Sequence, residues 1–116
     1  ELMNGIPHNP LISSGALMSC SLFHNKLSLS KRYEKYSKQV QKMIGGRKVF
    51  FNNGMFLSEL KRSDRDYCLL YMLQEAGTLP PGSDVEKILQ MYIQTCSIEM
   101  RVQDYAVLTA SLANGG

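Results

Sequence analysis

Two short strings in this sequence place a serine hydroxyl near a lysine amine. Ser28 and Lys31 form one Ser-x-x-Lys pair, and Ser58 and Lys61 form another. On a helix that spacing puts both side chains on one face, and some acyl-transfer enzymes use it with serine as nucleophile and lysine as base. The companion strings of the lactamase class, Ser-Asp-Asn and Lys-Thr-Gly, are absent. Serine and lysine are common, so chance accounts for both pairs, and neither is assigned catalysis. His8 and His24 are the only histidines. They stand too far apart to propose a metal site, and His8, between Pro7 and Pro10, reads as a structural or exposed loop residue. Cys20, Cys68 and Cys96 have no zinc spacing, and an odd count gives no disulfide framework. They read as three buried thiols in a reducing compartment. Glu59, Asp64 and Asp66 gather around a helix start, where carboxylates favour the positive end of the dipole. The residues alone give no further role to Glu59 or Asp66. Tyr92 lies on an apolar stripe and reads as core.

The elements that would position these groups are helical. Residues 1–12 read as a loop, since Pro7 and Pro10 push their predecessors out of the α region. Ser13 or Ser14 caps a helix near 15–24 that is apolar almost all round and should be buried. A second helix, near 31–44, puts Tyr33, Tyr36, Val40, Met43 and Ile44 on one face, and Gly45-Gly46 ends it. Val49-Phe50-Phe51 is too short to type, Asn52-Asn53-Gly54 signals a turn, and 55–62 suits a short helix. The run Tyr67 to Leu73 is apolar on every side, so a core helix is expected near 65–76. Gly77 stops it, and Pro80-Pro81-Gly82 stiffens the next loop. Ser83-x-x-Glu86 reads as a capping box for a helix near 84–96, with Val85, Ile88, Leu89, Tyr92, Ile93 and Cys96 on its apolar stripe. A last helix falls near 104–113. With no sustained strand alternation, the chain is expected to be all-α.

Composition sets outer limits. The 116 residues make one domain or part of one, and the formal net charge is +3. The basic residues are interleaved with acids, as in Lys61 to Asp66, which gives no stripe for nucleic acid and no membrane patch. No apolar stretch reaches membrane-spanning length. Two features read as a piece of a larger domain. The sequence ends on the glycine pair that closes a helix, and its first helix is apolar on more faces than a small bundle can cover. Such a piece should leave an apolar face open where its missing partner docks. Glu1 is not an initiator residue, so a targeting segment upstream stays open.

Four blocks in order resemble the animal-type glutaminases. Gly5-Ile6-Pro7-His8-Asn9-Pro10 with Leu11 to Ala16 is similar to the family's PHNPMVNAGA segment. Phe56-Leu57-Ser58-Glu59 and Asp64-Arg65-Asp66-Tyr67 are similar to FQSE and GDRN. Met91 to Glu99 resembles YFQLCSIEV, and Leu108 to Gly116 resembles MAATLANGG. The resemblance implies an internal part of a glutaminase domain, residues 1–116. It implies the helical subdomain of an α+β fold like that of the serine β-lactamases and transpeptidases. It implies hydrolysis of L-glutamine to L-glutamate and ammonia, without a cofactor, in a homo-oligomer (a tetramer in the family) of mitochondrial or cytoplasmic location. The family's catalytic serine and lysine precede the proline-rich segment, so no catalytic residue is expected in this chain.

By motif position the family's substrate contacts fall on Ser13, Glu59, Asp66 and Tyr92. Glu59 and Tyr92 match the family, whereas Ser13 and Asp66 stand where it has asparagine. Free glutamine is a zwitterion, so its site needs an anion for the ammonium and donors for the α-carboxylate. Glu59 is the anion. An aspartate cannot donate to a carboxylate as an asparagine amide does, and like charges about 4 Å apart cost roughly 1–4 kcal/mol at effective dielectrics of about 80 to 20. The resemblance therefore implies an acidic, concave site on which the four residues converge, with Glu59 and Asp66 raising the pKa of at least one of them. The alternatives are a degenerate homologue serving as a binding or structural subunit, and an unrelated helical scaffold.

Overall fold

The computed structural model describes residues 5–116. Expectations for the first four residues lie outside that range. The helices are α1 (Ser13–Leu22), α2 (Leu29–Met43), α3 (Asn53–Lys61), α4 (Asp64–Glu75), α5 (Val85–Cys96) and α6 (Val102–Ala113). Each falls within two residues of its expected position. A two-stranded antiparallel ladder, β1 (Phe50–Phe51) with β2 (Ile98–Glu99), pairs Phe50 with Glu99 and Phe51 with Ile98. The chain is helical as expected, with one short ladder added. Two residues per strand are too few to leave an alternating pattern.

The core forms around α5. Leu17 of α1, Leu70 of α4 and Val85, Ile88, Leu89 and Ile93 of α5 make one buried cluster. Helix α5 packs on α1, α2, α3 and α4. Burying each such aliphatic side chain contributes about 1.5–3 kcal/mol. The expected stripe on α2 is observed, with Val40 and Ile44 buried and Lys35, Lys38 and Lys42 exposed. Helix α4 differs from the core helix that its apolar run suggested. Leu70 and Leu73 are buried, whereas Tyr71 is 58% and Met72 52% exposed, and Cys68 is exposed beside them. Nor is α1 covered on all sides, since Leu22 is exposed.

Caps and connections set where each helix begins. The N-cap of α1 is Ile12, with no side-chain bond from Ser13 or Ser14. The loop before it is held instead by an Asn9 side chain that accepts from the Leu11 amide at 2.8 Å. Gly15 lets that loop cross α1, because a Cβ there would stand 1.8 Å from the Asn9 carbonyl oxygen. The expected capping box at Ser83 is not formed. Asp84 is the cap, accepting from the Glu86 and Lys87 amides at 3.0 and 3.3 Å, while Ser83 donates to the Pro80 carbonyl at 2.6 Å. Asn52 caps α3 through Met55 and binds Glu99 at 2.6 Å, tying α3 to the ladder. At the start of α6, Asp104 is 3% exposed and pairs with Arg47 and Arg101 at 2.6 and 3.0 Å. Hydrogen bonds from those two arginines carry its carboxyl from an ordinary 3.8 down to about 2.

An open apolar face is present. Phe50, Val102 and Tyr105 are 60%, 82% and 58% exposed, and they line one groove of about 810 Å³ with Val40, Ile98 and Leu108.

Gly15 gives a direct test of the loop crossing. Gly15→Ala is expected to lower stability by about 2–3 kcal/mol, because backbone rather than a flexible side chain occupies the space. Chemical denaturation of the protein that carries this chain reads the effect. Gly54→Ala, which meets only the Asn52 side chain at 3.4 Å, serves as the near-neutral control.

Candidate functional site

Four helices each contribute one of the residues in question. Ser13 opens α1, Glu59 sits in the last turn of α3, Asp66 lies in the first turn of α4, and Tyr92 is on α5. The packing of α1, α3 and α4 onto α5 draws these ends together. Ser13 is exposed, and Glu59, Asp66 and Tyr92 are half-buried.

Their electrostatics are coupled. The Asp66 carboxyl is pushed above the usual carboxylate range, first by burial and then by the Glu59 charge, with Arg65 acting the other way. Burial also raises the Tyr92 phenol, and the fields of Cys96 and Asp66 add to it. A side-chain hydrogen bond with Ser13 opposes that rise. One turn along α5 from Tyr92, the Cys96 thiol is raised by burial, lowered by hydrogen bonds with Thr95 and Tyr92, and raised again by Asp66 and Glu59. Two carboxylates, a phenol, a hydroxyl and a thiol therefore form one interacting group. Neither Glu59 nor Asp66 has a lysine or arginine in ion-pair contact among the described residues. Such a group suits a ligand that brings a cation and accepts hydrogen bonds.

Cavities near 810, 570 and 250 Å³ among the described residues are lined by other side chains. Sequence reasoning gave Cys96 no place here and read all three thiols as buried. Cys68 and Cys96 are exposed as residues, although the Cys96 sulfur is sheltered enough for burial to raise its thiol, and Cys20 is half-buried. The apolar stripe that Cys96 shares with Leu89 and Ile93 hid it, because a helix end can carry the stripe past the edge of its core. The one signal in the sequence was its position four residues after Tyr92, where helical side chains meet.

The Ser-x-x-Lys pairs show no catalytic geometry. Ser28 is the N-cap of α2, with its hydroxyl 3.3 Å from that of Ser30. Ser58 and Lys61 are both exposed on α3. His8 and His24 are exposed as well. Among the described residues no cluster of three or more His, Cys, Asp or Glu side chains could hold a metal ion, and no helix is long and apolar enough to cross a membrane.

Comparison with known proteins places this architecture. The fold matches that of a Bacillus glutaminase crystallised in 4.3 M NaCl, with a TM-score of 0.86 at 28% identity over 97% of this chain and 36% of that one. A Bacillus subtilis probable glutaminase gives a TM-score of 0.83 at 29% identity, over 93% of this chain and 33% of that one. These neighbours have the β-lactamase-like fold, and the helices described above are a helical part of it. The Glutaminase family model matches residues 1–116, and the chain belongs to the glutaminase family. It is 36% identical over 112 residues to the mitochondrial liver isoform of Rattus norvegicus glutaminase, covering 97% of this chain and 19% of that protein. It is 37% identical over 112 residues to Glutaminase 2 of Bacillus cereus, covering 97% of this chain and 33% of that protein. The chain thus spans a fifth to a third of the relatives it matches.

Removing one charge tests the coupling. Glu59→Gln is expected to lower the Asp66 pKa while leaving it above the usual carboxylate range, since burial is the larger cause. A side-chain carboxyl NMR titration of Asp66 in both proteins measures this.

Proposed function

We propose that the protein carrying residues 1–116 hydrolyses the side-chain amide of L-glutamine to L-glutamate and ammonia. This segment supplies part of the wall that binds the amino acid. The observation that carries the reading is the meeting of Glu59, Asp66, Tyr92 and Ser13 from four separate helices of a glutaminase fold. Sequence separation alone gives no reason for them to meet, and a shared ligand does. Glu59 takes the α-ammonium as counter-ion. Tyr92 and Ser13 have hydroxyls that donate to the substrate's oxygens. Asp66 is the anomaly, since a carboxylate there repels the α-carboxylate.

The acyl-transfer chemistry belongs to residues outside this segment. The apolar groove between the ladder and α6 is where the remainder of the domain packs, since Phe50, Val102 and Tyr105 lie exposed along it. The reaction uses no cofactor, and the working enzyme is a homo-oligomer that acts in mitochondria or cytoplasm. A second reading, a catalytically degenerate homologue, is favoured by the unneutralised pair of carboxylates. Ammonia release from L-glutamine by the full-length protein decides between them.

Two outcomes follow. The 116-residue chain alone should release no ammonia, because it lacks an activated nucleophile. Activity that Ser28→Ala or Ser58→Ala abolishes would contradict this. In the full-length protein, Asp66→Asn should lower KM for glutamine by removing the charge that faces the carboxylate. The raised Asp66 pKa gives the sign with pH. The ionised form dominates above that pKa and repels substrate; below it the neutral acid does not. KM of the unmodified protein should therefore fall as pH drops from about 8 toward about 5, the lower part of this window nearing the carboxylate range. The Asp66→Asn variant should lack that trend, which steady-state kinetics across the window will read.

A further inference from the structure

Glu59 lies in the last turn of α3 and Asp66 in the first turn of α4. The Glu59 charge reaches Asp66 and, after burial, is the next cause that lifts its carboxyl. Arg65, the chain neighbour of Asp66, opposes that rise as the smallest of the three causes. The ion pairs of the described residues lie elsewhere, between Lys38 and Glu34, between Lys87 and Asp84, and from Arg47 and Arg101 to Asp104. Asp66 also acts on the Tyr92 phenol, so its carboxyl belongs to the same wall as Tyr92 and Ser13. The helix dipole does not account for it. Asp64 is already in the first turn of α4 and is exposed, so the dipole calls for no second carboxyl, half-buried and within the field of Glu59.

A zwitterion is a poor match for such a wall. It brings one cation and one anion, so it adds no net charge to two carboxylates, and its anion finds no cation to meet. An ionised carboxylate accepts hydrogen bonds and donates none. An ammonium satisfies Glu59. The group opposite Asp66 must then donate, which an α-carboxylate cannot do and an amide N–H can. Converting the α-carboxyl into an amide removes the anion, keeps the ammonium and supplies the donor.

We propose that this site takes glutamine whose α-carboxyl is an amide in preference to free L-glutamine, either as a small α-amide or as the N-terminal glutamine of a peptide. Glu59 binds the α-ammonium, and Asp66 accepts from the α-amide N–H. The inference rests on the amide-hydrolysing reading above and narrows its substrate. The reaction is unchanged. The bond between the side-chain carbonyl carbon and its nitrogen breaks, water gives its hydroxyl to that carbon, and the nitrogen leaves as ammonia with the remaining proton of the water.

Steady-state kinetics of the full-length protein test this, with L-glutamine, L-glutamine α-methylamide and glutaminyl-glycyl-glycinamide as substrates. The pH is held at about 7, below the α-amino pKa, so that the ammonium is charged. Mass spectrometry of the products separates hydrolysis of the side-chain amide from spontaneous cyclisation. The kcat/KM for the methylamide is expected to exceed that for glutamine about tenfold or more, and Asp66→Asn to lower that ratio about tenfold or more. Each ratio is taken within one protein, so any loss of folded enzyme cancels from it. Turnover of the peptide at least equal to that of the methylamide identifies a peptide as the source, and weaker turnover identifies a small amide. Glutamine preferred or equal in the unmodified protein, or a preference for the methylamide that Asp66→Asn leaves unchanged, would overturn the inference and leave the glutaminase reading standing. No hydrolysis of any of the three would overturn both.

Discussion

Leu89 has no exposed surface, and around it α5 packs against four other helices. Ile88, Met91 and Ile93 are buried with it, each no more than 3% exposed. A helix with that many neighbours has little freedom to slide or turn, because interiors packed to crystal density transmit small shifts as clashes. The position of Tyr92 follows from this. It lies between Met91 and Ile93, so the packing that fixes them fixes the direction of its phenol. Helices α1, α3 and α4 reach the same helix, which is why the Ser13 hydroxyl and the Asp66 carboxyl act on one phenol while the Glu59 charge acts on Asp66.

The group around Tyr92 carries an electrostatic cost that packing alone would not select. Burial raises Asp66, and the Glu59 charge raises it further. Apolar side chains at either position would relieve that repulsion. In the proposed reading, the ammonium of the substrate offsets that charge. Asp104 shows the opposite case. It is as buried as the core, and two arginines close around it. That cluster ties α6 to the segment after α2 and is complete within the chain, so it reads as a structural joint.

The helices were largely legible in the sequence, because amphipathic spacing and glycine stops are local signals. Gly45, Gly46 and Gly77 all take the positive φ that ends a helix. What was not legible was decided by tertiary contacts. Phe50-Phe51, too short to type, became a strand because Ile98-Glu99 lay beside it. Asp84 displaced Ser83 as a cap because the Pro80 carbonyl claimed the serine hydroxyl. The apolar run in α4 suggested burial on all sides, yet helical periodicity cannot say how many neighbours exist to cover it. The four residues around Tyr92 were named by resemblance to a family. Their chemistry alone had given Tyr92 to the core and Asp66 to a helix dipole. The place of the Cys96 thiol and the burial of Arg32 were not foreseen: Cys96 also feels Glu59 and Asp66, and Arg32 bonds carbonyls at the end of the preceding helix.

The central claim is that this helical wall holds the amino-acid end of glutamine. A crystal structure of the full-length protein with L-glutamate bound tests it most directly. The account predicts the α-ammonium within about 3 Å of a Glu59 carboxylate oxygen, with Tyr92 and Ser13 in hydrogen-bond contact with the ligand and Asp66 turned away from its α-carboxylate or protonated beside it. A ligand seated elsewhere, with Glu59 making no contact to its ammonium, would contradict the account.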